Sequence, residues 1–147
     1  MPSDTVHTLD RPANLDAGLL LARVMLSALF LVSGYFKLVA VERTAGYFGS
    51  LGLPMPNVMV WVAILAELGL PVLLLLGIRA RWVALALCLF TLVTAATGHR
   101  FWGFDSATQF PQYIANLTQF LKNLGIAGGF LLLGLVGPGR FALDRRG

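Results

Sequence analysis

Six polar side chains interrupt the otherwise apolar stretches of this 147-residue sequence, and these are the groups that could perform chemistry there. The six are Arg23, Lys37, Glu67, His99, Lys122 and Asn123. A charged side chain near the centre of a bilayer costs about 2.5–3.5 kcal/mol on insertion scales. Ionisable residues at such positions therefore predict either an ion pair that fixes helix packing or a site with a function.

Lys37, His99, Lys122 and Asn123 are expected to meet at one level of the protein, because they approach the same membrane surface from three spans. Together they offer positive charge and hydrogen-bond donors. A quinone head group carries two carbonyl oxygens that gain negative charge on reduction, and such donors would stabilise that charge. The cluster predicts a binding site for a quinone or a lipid head group. The structural alternative is that the lysines extend to the membrane surface and that His99 ends a helix there.

Arg23 and Glu67 carry opposite charges at similar expected depth in adjacent spans, and an arginine side chain could bridge them. We expect an intramembrane ion pair that either fixes the register of two helices or acts directly in function. Pro71 follows Glu67 by four residues, and a proline there removes the hydrogen bond that the Glu67 carbonyl would accept. The Glu67 carboxylate and this unpaired carbonyl therefore have to face protein or water rather than lipid.

Helical periodicity assigns faces to two apolar segments. In the first segment, one face is expected to point inward; it carries Arg23, Ser27, Phe30, Gly34 and Lys37. The opposite face is expected to meet lipid; it carries Leu21, Leu29 and Val32. In the last segment, four amides recur at the helical offsets 0, 4, 7 and 11; these are Gln112, Asn116, Gln119 and Asn123. The amide stripe predicts the wall of a polar cavity or, alternatively, an amphipathic segment at the membrane surface.

The amino-acid composition indicates that these polar residues belong to a membrane protein. Hydrophobic residues make up 57% of the chain and charged residues 12%, with a mean hydropathy of +0.77. A soluble domain carries about twice that share of charge, so a soluble enzyme is excluded. A span needs about twenty mostly apolar residues. We predict an all-α membrane protein, a bundle of four transmembrane helices over residues 19–41, 57–78, 82–98 and 112–136.

The four spans form one transmembrane domain over residues 19–136, between a polar N-terminal tail (1–18) and a basic C-terminal tail (137–147). Pro54 and Pro56 prevent one continuous helix from joining the first two spans. The tails and the second connection hold six Lys/Arg residues, against at most four on the other side. The positive-inside rule then predicts a multi-pass protein of the bacterial inner (plasma) membrane with both termini in the cytoplasm.

Several classes of function are disfavoured by residues that the chain lacks. Its basic residues flank apolar runs, which predicts contact with membrane lipid and no binding to nucleic acid. Cys88 is the single cysteine, so an intramolecular disulfide is excluded, and only two histidines are present. We find no metal-ligand cluster, dinucleotide motif or P-loop. The chain has no evident means of storing an electron, so we expect catalysis to require a second subunit. We also expect the chain to assemble with a partner protein or as a homo-oligomer.

Read together and in order, several sequence pieces resemble the DoxX family of small four-helix membrane proteins. The pieces are LARVMLSALFLVSGYFKL, LGLPMP, AELGLPVLLLLGIRAR, His99, KNLGIAGGFLLL and GPGRFALD, within residues 19–146. The family's polar positions fall on the six residues singled out above. Leu70-Pro71 departs from the family pattern, which more often has glycine or another small or aliphatic residue there.

The resemblance implies a role in membrane redox systems. Relatives include a subunit of an archaeal thiosulfate:quinone oxidoreductase and a mycobacterial member linked to superoxide dismutase and a sulfurtransferase. We therefore expect a quinone-linked oxidoreductase subunit that supplies a quinone pocket or a membrane anchor and is not catalytic alone. Two alternatives stay open: a noncatalytic scaffold or assembly subunit of a larger membrane complex, and a small-solute or proton pathway that uses Glu67.

Overall fold

The computed structural model describes residues 12–144, and within that range all regular structure is helical. The helices are α1 (Ala13–Val39), α2 (Val41–Ser50), α3 (Pro56–Leu76), α4 (Ala80–Gly98) and α5 (Phe110–Val136), with one 3-10 turn at Phe101–Gly103. All except α2 and the turn are long and apolar enough to cross a membrane. The predicted class, an all-α membrane protein with four spans, is confirmed.

The four long helices alternate in direction and so give the bundle two distinct ends. At the end named here the His99 end, α1 and α4 finish while α3 and α5 begin. At the opposite end, named the terminal end, α1 begins and α5 finishes.

The inward face predicted for α1 is confirmed. Its buried residues are Asp16, Arg23, Ser27, Phe30 and Gly34. Lys37, one turn further along, is partly buried, with 22% of its side chain exposed. Leu21 and Val32 are each more than half exposed, as a lipid-facing surface requires, whereas Leu29 is half exposed and also lines a cavity.

Two tight helix pairs build the bundle, because α1 packs chiefly on α3 and α5 packs chiefly on α4. The apolar core between them includes Phe30 and Phe130, whose rings meet edge to face with centroids 5.5 Å apart. Near this level α1 also reaches α5, since Leu26 lies 3.4 Å from where a Cβ on Gly129 would stand. Towards the His99 end, residues of both helices line a cavity.

The connection after α1 contains a helix that the sequence reasoning did not predict. The chain breaks at Ala40 (φ −138°, ψ 46°) and continues at once into α2. Ala45 is buried there against Val60 and Ile64 of α3. Glycines disfavour a helix, so the glycines of this segment gave no reason to predict one. The predicted break before Pro56 is present, since α3 begins at that proline.

The N-terminal tail is shorter than predicted where the structure describes it, whereas α5 ends at Val136 as predicted. Residues 13–18 belong to α1, and the buried carboxylate of Asp16 accepts a 3.0 Å hydrogen bond from the backbone N–H of Arg140. In the C-terminal segment, the backbone N–H of Leu143 donates to the carbonyl of Leu76 at 3.0 Å. Residues 137–144 are therefore packed against the bundle, whereas residues 1–11 and 145–147 lie outside the described residues.

Candidate functional site

A cavity of about 470 Å³ lies among the four long helices near the His99 end. Each of these helices, or the residue that ends it, contributes to the wall. The lining residues are Leu29, Phe30, Ser33, Lys37, Glu67, Thr94, His99, Gln119, Lys122, Asn123 and Ile126. Three of these residues are apolar or aromatic and two carry hydroxyls, while the other six carry charged, imidazole or amide groups.

Lys37 and Glu67 form an ion pair at this wall. The Lys37 Nζ donates to Glu67 Oε2 at 2.8 Å and to Ser33 Oγ at 2.7 Å. Only 6% of the Glu67 side chain is exposed. A carboxylate that is buried to this extent needs a partner of opposite charge or a hydrogen-bond donor. The Lys37 ammonium is both.

Gly34 sets how closely α1 approaches α3 beside this pair. A Cβ built on Gly34 would stand 2.8 Å from Leu68 Cδ2 and 3.0 Å from the Cβ of Glu67. The first distance is shorter than real Cβ contacts and the second is tighter than most of them, so any larger residue here would require Leu68 or the two helices to shift. The close contact places Glu67 level with Gly34, one turn from Lys37.

The other predicted donors enter the cavity from α4 and α5. His99 ends α4, and its backbone N–H donates to the carbonyl of Ala95 at 3.1 Å. Asn123 Nδ2 donates to the Gln119 carbonyl at 3.1 Å, one turn earlier on α5. Lys122 makes no hydrogen bond or ion pair with any residue from 12 to 144. The structure thus brings Lys37, His99, Lys122 and Asn123 to one cavity, and their role in binding a ligand stays a prediction.

The predicted ion pair between Arg23 and Glu67 is not formed, and this expectation is corrected. Glu67 lies level with Gly34, which follows Arg23 by eleven residues, or about 16 Å along a helix. No arginine side chain spans that distance along the bundle. Arg23 instead donates to backbone carbonyls at the terminal end: those of Leu74 (2.9 Å), Leu75, Pro138 (3.2 Å) and Phe141 (2.8 Å).

The spacing of the charged residues on α1 indicates that Glu67 can pair with Arg23 or with Lys37 but not with both. Arg23 and Lys37 share the inward face of α1 but lie fourteen residues apart, so Glu67 could meet only one of them. Of the amide stripe on α5, Gln119 and Asn123 line the cavity, whereas Asn116 donates to the carbonyl of Gln112 further out. Sequence reasoning did not identify Ser33 and Thr94 as lining residues, since isolated hydroxyls are common in apolar helices.

The chain is similar in sequence to one family model and to two inner membrane proteins. A model described as DoxX matches residues 18–100, a range that includes Lys37, Glu67 and His99. Inner membrane protein YphA of Escherichia coli (strain K12) is 38% identical over 128 residues, which are 87% of this chain and 89% of that protein. Inner membrane protein YqjF of the same organism is 36% identical over 130 residues, 88% of this chain and 92% of that protein. No solved structure matches the chain.

Proposed function

We propose that this chain, which belongs to the DoxX family and is an integral membrane protein, binds a quinone head group in the cavity at the His99 end. In this proposal it supplies the quinone pocket of a redox system in the bacterial inner membrane. The observation that carries the proposal is the convergence of Lys37, Glu67, His99 and Lys122 on one cavity between membrane spans.

The donor set of the cavity fits the chemistry of a quinone head group. Such a ring presents two carbonyl acceptors at opposite edges and two apolar faces. Lys122 supplies an ammonium with no partner among the described residues, while the His99 imidazole and the Gln119 amide supply further N–H groups. Phe30 and Ile126 supply apolar wall. The volume of about 470 Å³ lies within the range of about 300–1,000 Å³ that is usual for small-molecule sites.

The charges of the cavity are arranged to favour negative charge on a ligand. Lys37 and Glu67 neutralise one another, so Lys122 leaves the wall with a net positive charge. A bound quinone would supply two-electron, two-proton redox chemistry. Lys122 and the N–H groups near it would stabilise negative charge on a ring oxygen, an effect that is strong where water is excluded.

The proposal extends to topology and partners. The excess of Lys/Arg at the terminal end supports placing both termini in the cytoplasm, which would put the cavity towards the periplasmic side. Because the chain has no evident electron store, the reductant would be handled by a second polypeptide bound in the same membrane.

The test is a titration of the purified protein in detergent with a short-chain benzoquinone, followed by isothermal calorimetry. We expect Lys122→Gln to weaken binding about tenfold, since a hydrogen bond to a charged group contributes about 1.5–3 kcal/mol. His99→Ala should weaken binding as well, because one donor is removed. The matched control is Arg43→Gln, which removes an exposed positive charge outside this cavity and should leave the affinity unchanged.

Two results would contradict the proposal. Equal affinities in the wild type, Lys122→Gln and His99→Ala would show that the quinone binds elsewhere. The absence of binding to the wild type would favour the noncatalytic scaffold instead.

A further inference from the structure

Glu67 presents an unused hydrogen-bond acceptor to the cavity. Its Oε2 is taken by Lys37, and its Oε1 accepts no hydrogen bond from residues 12–144. Within that part of the chain, every fully buried side-chain oxygen or nitrogen has a partner. Oε1 is therefore not fully buried, and the residue that carries it lines the cavity.

Lys37 places a donor directly beside this acceptor. An ammonium carries three N–H groups, and the protein uses two of them, on Ser33 Oγ and Glu67 Oε2. About a fifth of the Lys37 side chain is exposed, and Lys37 also lines the cavity. The pair thus offers one open donor and one open acceptor at adjacent positions on the wall.

A hydroxyl group matches such a pair, and a ketone does not. A hydroxyl donates one hydrogen bond and accepts others, so it can use Glu67 Oε1 and Lys37 together. A ketone oxygen only accepts, so it would displace water from the Glu67 carboxylate without replacing the lost hydrogen bond. Leaving a desolvated acceptor unpaired is the strongest source of discrimination between such ligands.

We propose that Glu67 makes this cavity selective for the hydroxyl-bearing, reduced form of its ring ligand, a hydroquinone, over the quinone. The inference rests on the proposed function, in which the cavity binds a quinone-type ring. Glu67 accepts the hydrogen bond of one ring hydroxyl, and the donors of α4 and α5 meet the second ring oxygen. Glu67 is thus the residue that determines which form is retained.

The experiment compares three ligands with one ring on the wild-type protein in detergent. They are a short-chain benzoquinone, its hydroquinone kept reduced under anaerobic conditions, and the hydroquinone dimethyl ether, which has no O–H donor. We expect the hydroquinone to bind about tenfold tighter than either of the others, as a charge-assisted hydrogen bond implies. The reductant alone serves as the blank titration.

The variant Glu67→Gln assigns the selectivity to this carboxylate. It keeps the shape and a weaker acceptor, and we expect the preference for the hydroquinone to fall to about twofold or less. Glu42→Gln is the matched control, because it changes an exposed carboxylate outside the cavity and should keep the tenfold preference. Infrared difference spectra should show a carboxylate band that shifts on hydroquinone binding in the wild type and is missing in Glu67→Gln.

The outcomes separate this inference from the proposed function. If the wild type binds the quinone at least as tightly as the hydroquinone, the selectivity is wrong while the quinone site stands. A preference that survives intact in Glu67→Gln would also overturn the role of Glu67. If no ligand binds the wild type, both proposals fall. If Glu67→Gln does not fold, the wild-type comparison still tests the selectivity, and the infrared carboxylate band of the wild type still tests the role of a carboxylate.

Discussion

Arg23 and Lys37 lie on the same inward face of α1, and the protein compensates their charges by different means. Lys37 meets a carboxylate, that of Glu67, at 2.8 Å. Arg23 is fully buried and donates to carbonyls, among them that of Leu74 in the last turn of α3. The last carbonyls of a helix lack intrahelical partners and carry partial negative charge. The end of α3 therefore serves as the counter-charge of Arg23.

We predict that Arg23→Met destabilises the folded protein by about 2–4 kcal/mol, because several buried carbonyls lose their donor at once and each costs about 1–3 kcal/mol. Thermal unfolding in detergent measures the loss. Hydrogen exchange should accelerate chiefly near Pro138 and Phe141, whose carbonyls Arg23 holds. Arg43→Met is the matched control, since Arg43 is exposed on α2, and it should change stability by less than about 0.5 kcal/mol.

A double variant checks that Arg23 and Glu67 act separately. Sites far apart with no shared partner have additive effects within about 0.5 kcal/mol, so Arg23→Met and Glu67→Gln should add. A coupling energy of 1 kcal/mol or more between the two substitutions would show that Arg23 and Glu67 interact, against the geometry. Unchanged stability of Arg23→Met would show instead that the carbonyls find other donors.

At the scale of elements, one glycine fixes the register between α1 and α3. We predict that Gly34→Ala lowers stability by up to about 2 kcal/mol, because overpacking costs about 1–3 kcal/mol and alanine returns about 1 kcal/mol of helix propensity. The new methyl would meet Leu68 and the Cβ of Glu67, so the helices have to separate. Gly128→Ala is the control: a Cβ there meets nothing within 4 Å, and that variant should be as stable as the wild type or more stable. Equal unfolding temperatures for both variants would show that the approach at Gly34 is loose.

The spans and the inward face of α1 follow from the sequence, whereas the pairing of helices does not. Runs of about twenty apolar residues define a span, and the 3.6-residue repeat defines a face. Depth was counted from expected span ends, and α1 begins at Ala13, six residues before the expected start. The added residues of α1 extend past the end of α3, so that Arg23 lies beside Leu74 in the last turn of α3 rather than beside Glu67. Relative register depends on close contacts such as that of Gly34, which a single sequence does not reveal.

Over the whole molecule, the two ends of the bundle differ in construction. The terminal end is held by basic side chains on helix carbonyls: Arg23 caps α3, and Arg81 donates to the Leu135 carbonyl of α5 at 3.0 Å. Asp16 adds an ion pair with Arg140 at 3.7 Å. The His99 end holds the cavity instead, with Lys122 unpaired among the described residues. This division is typical of proteins in which a rigid part positions a site that binds a ligand.

The arrangement of the whole chain predicts that catalysis needs a second polypeptide. Oxidation of a donor coupled to quinone reduction requires a place to hold electrons or a covalent intermediate, and the single cysteine, Cys88, is buried in the apolar core beside Leu87 and Phe130. Purified alone in detergent, the chain should therefore not reduce a soluble quinone with thiosulfate or a small thiol as donor, as followed by quinone absorbance. Cys88→Ser is the control. Turnover that survives in it would make the single chain an enzyme without the thiol, whereas turnover that it abolishes would show that the buried thiol reacts.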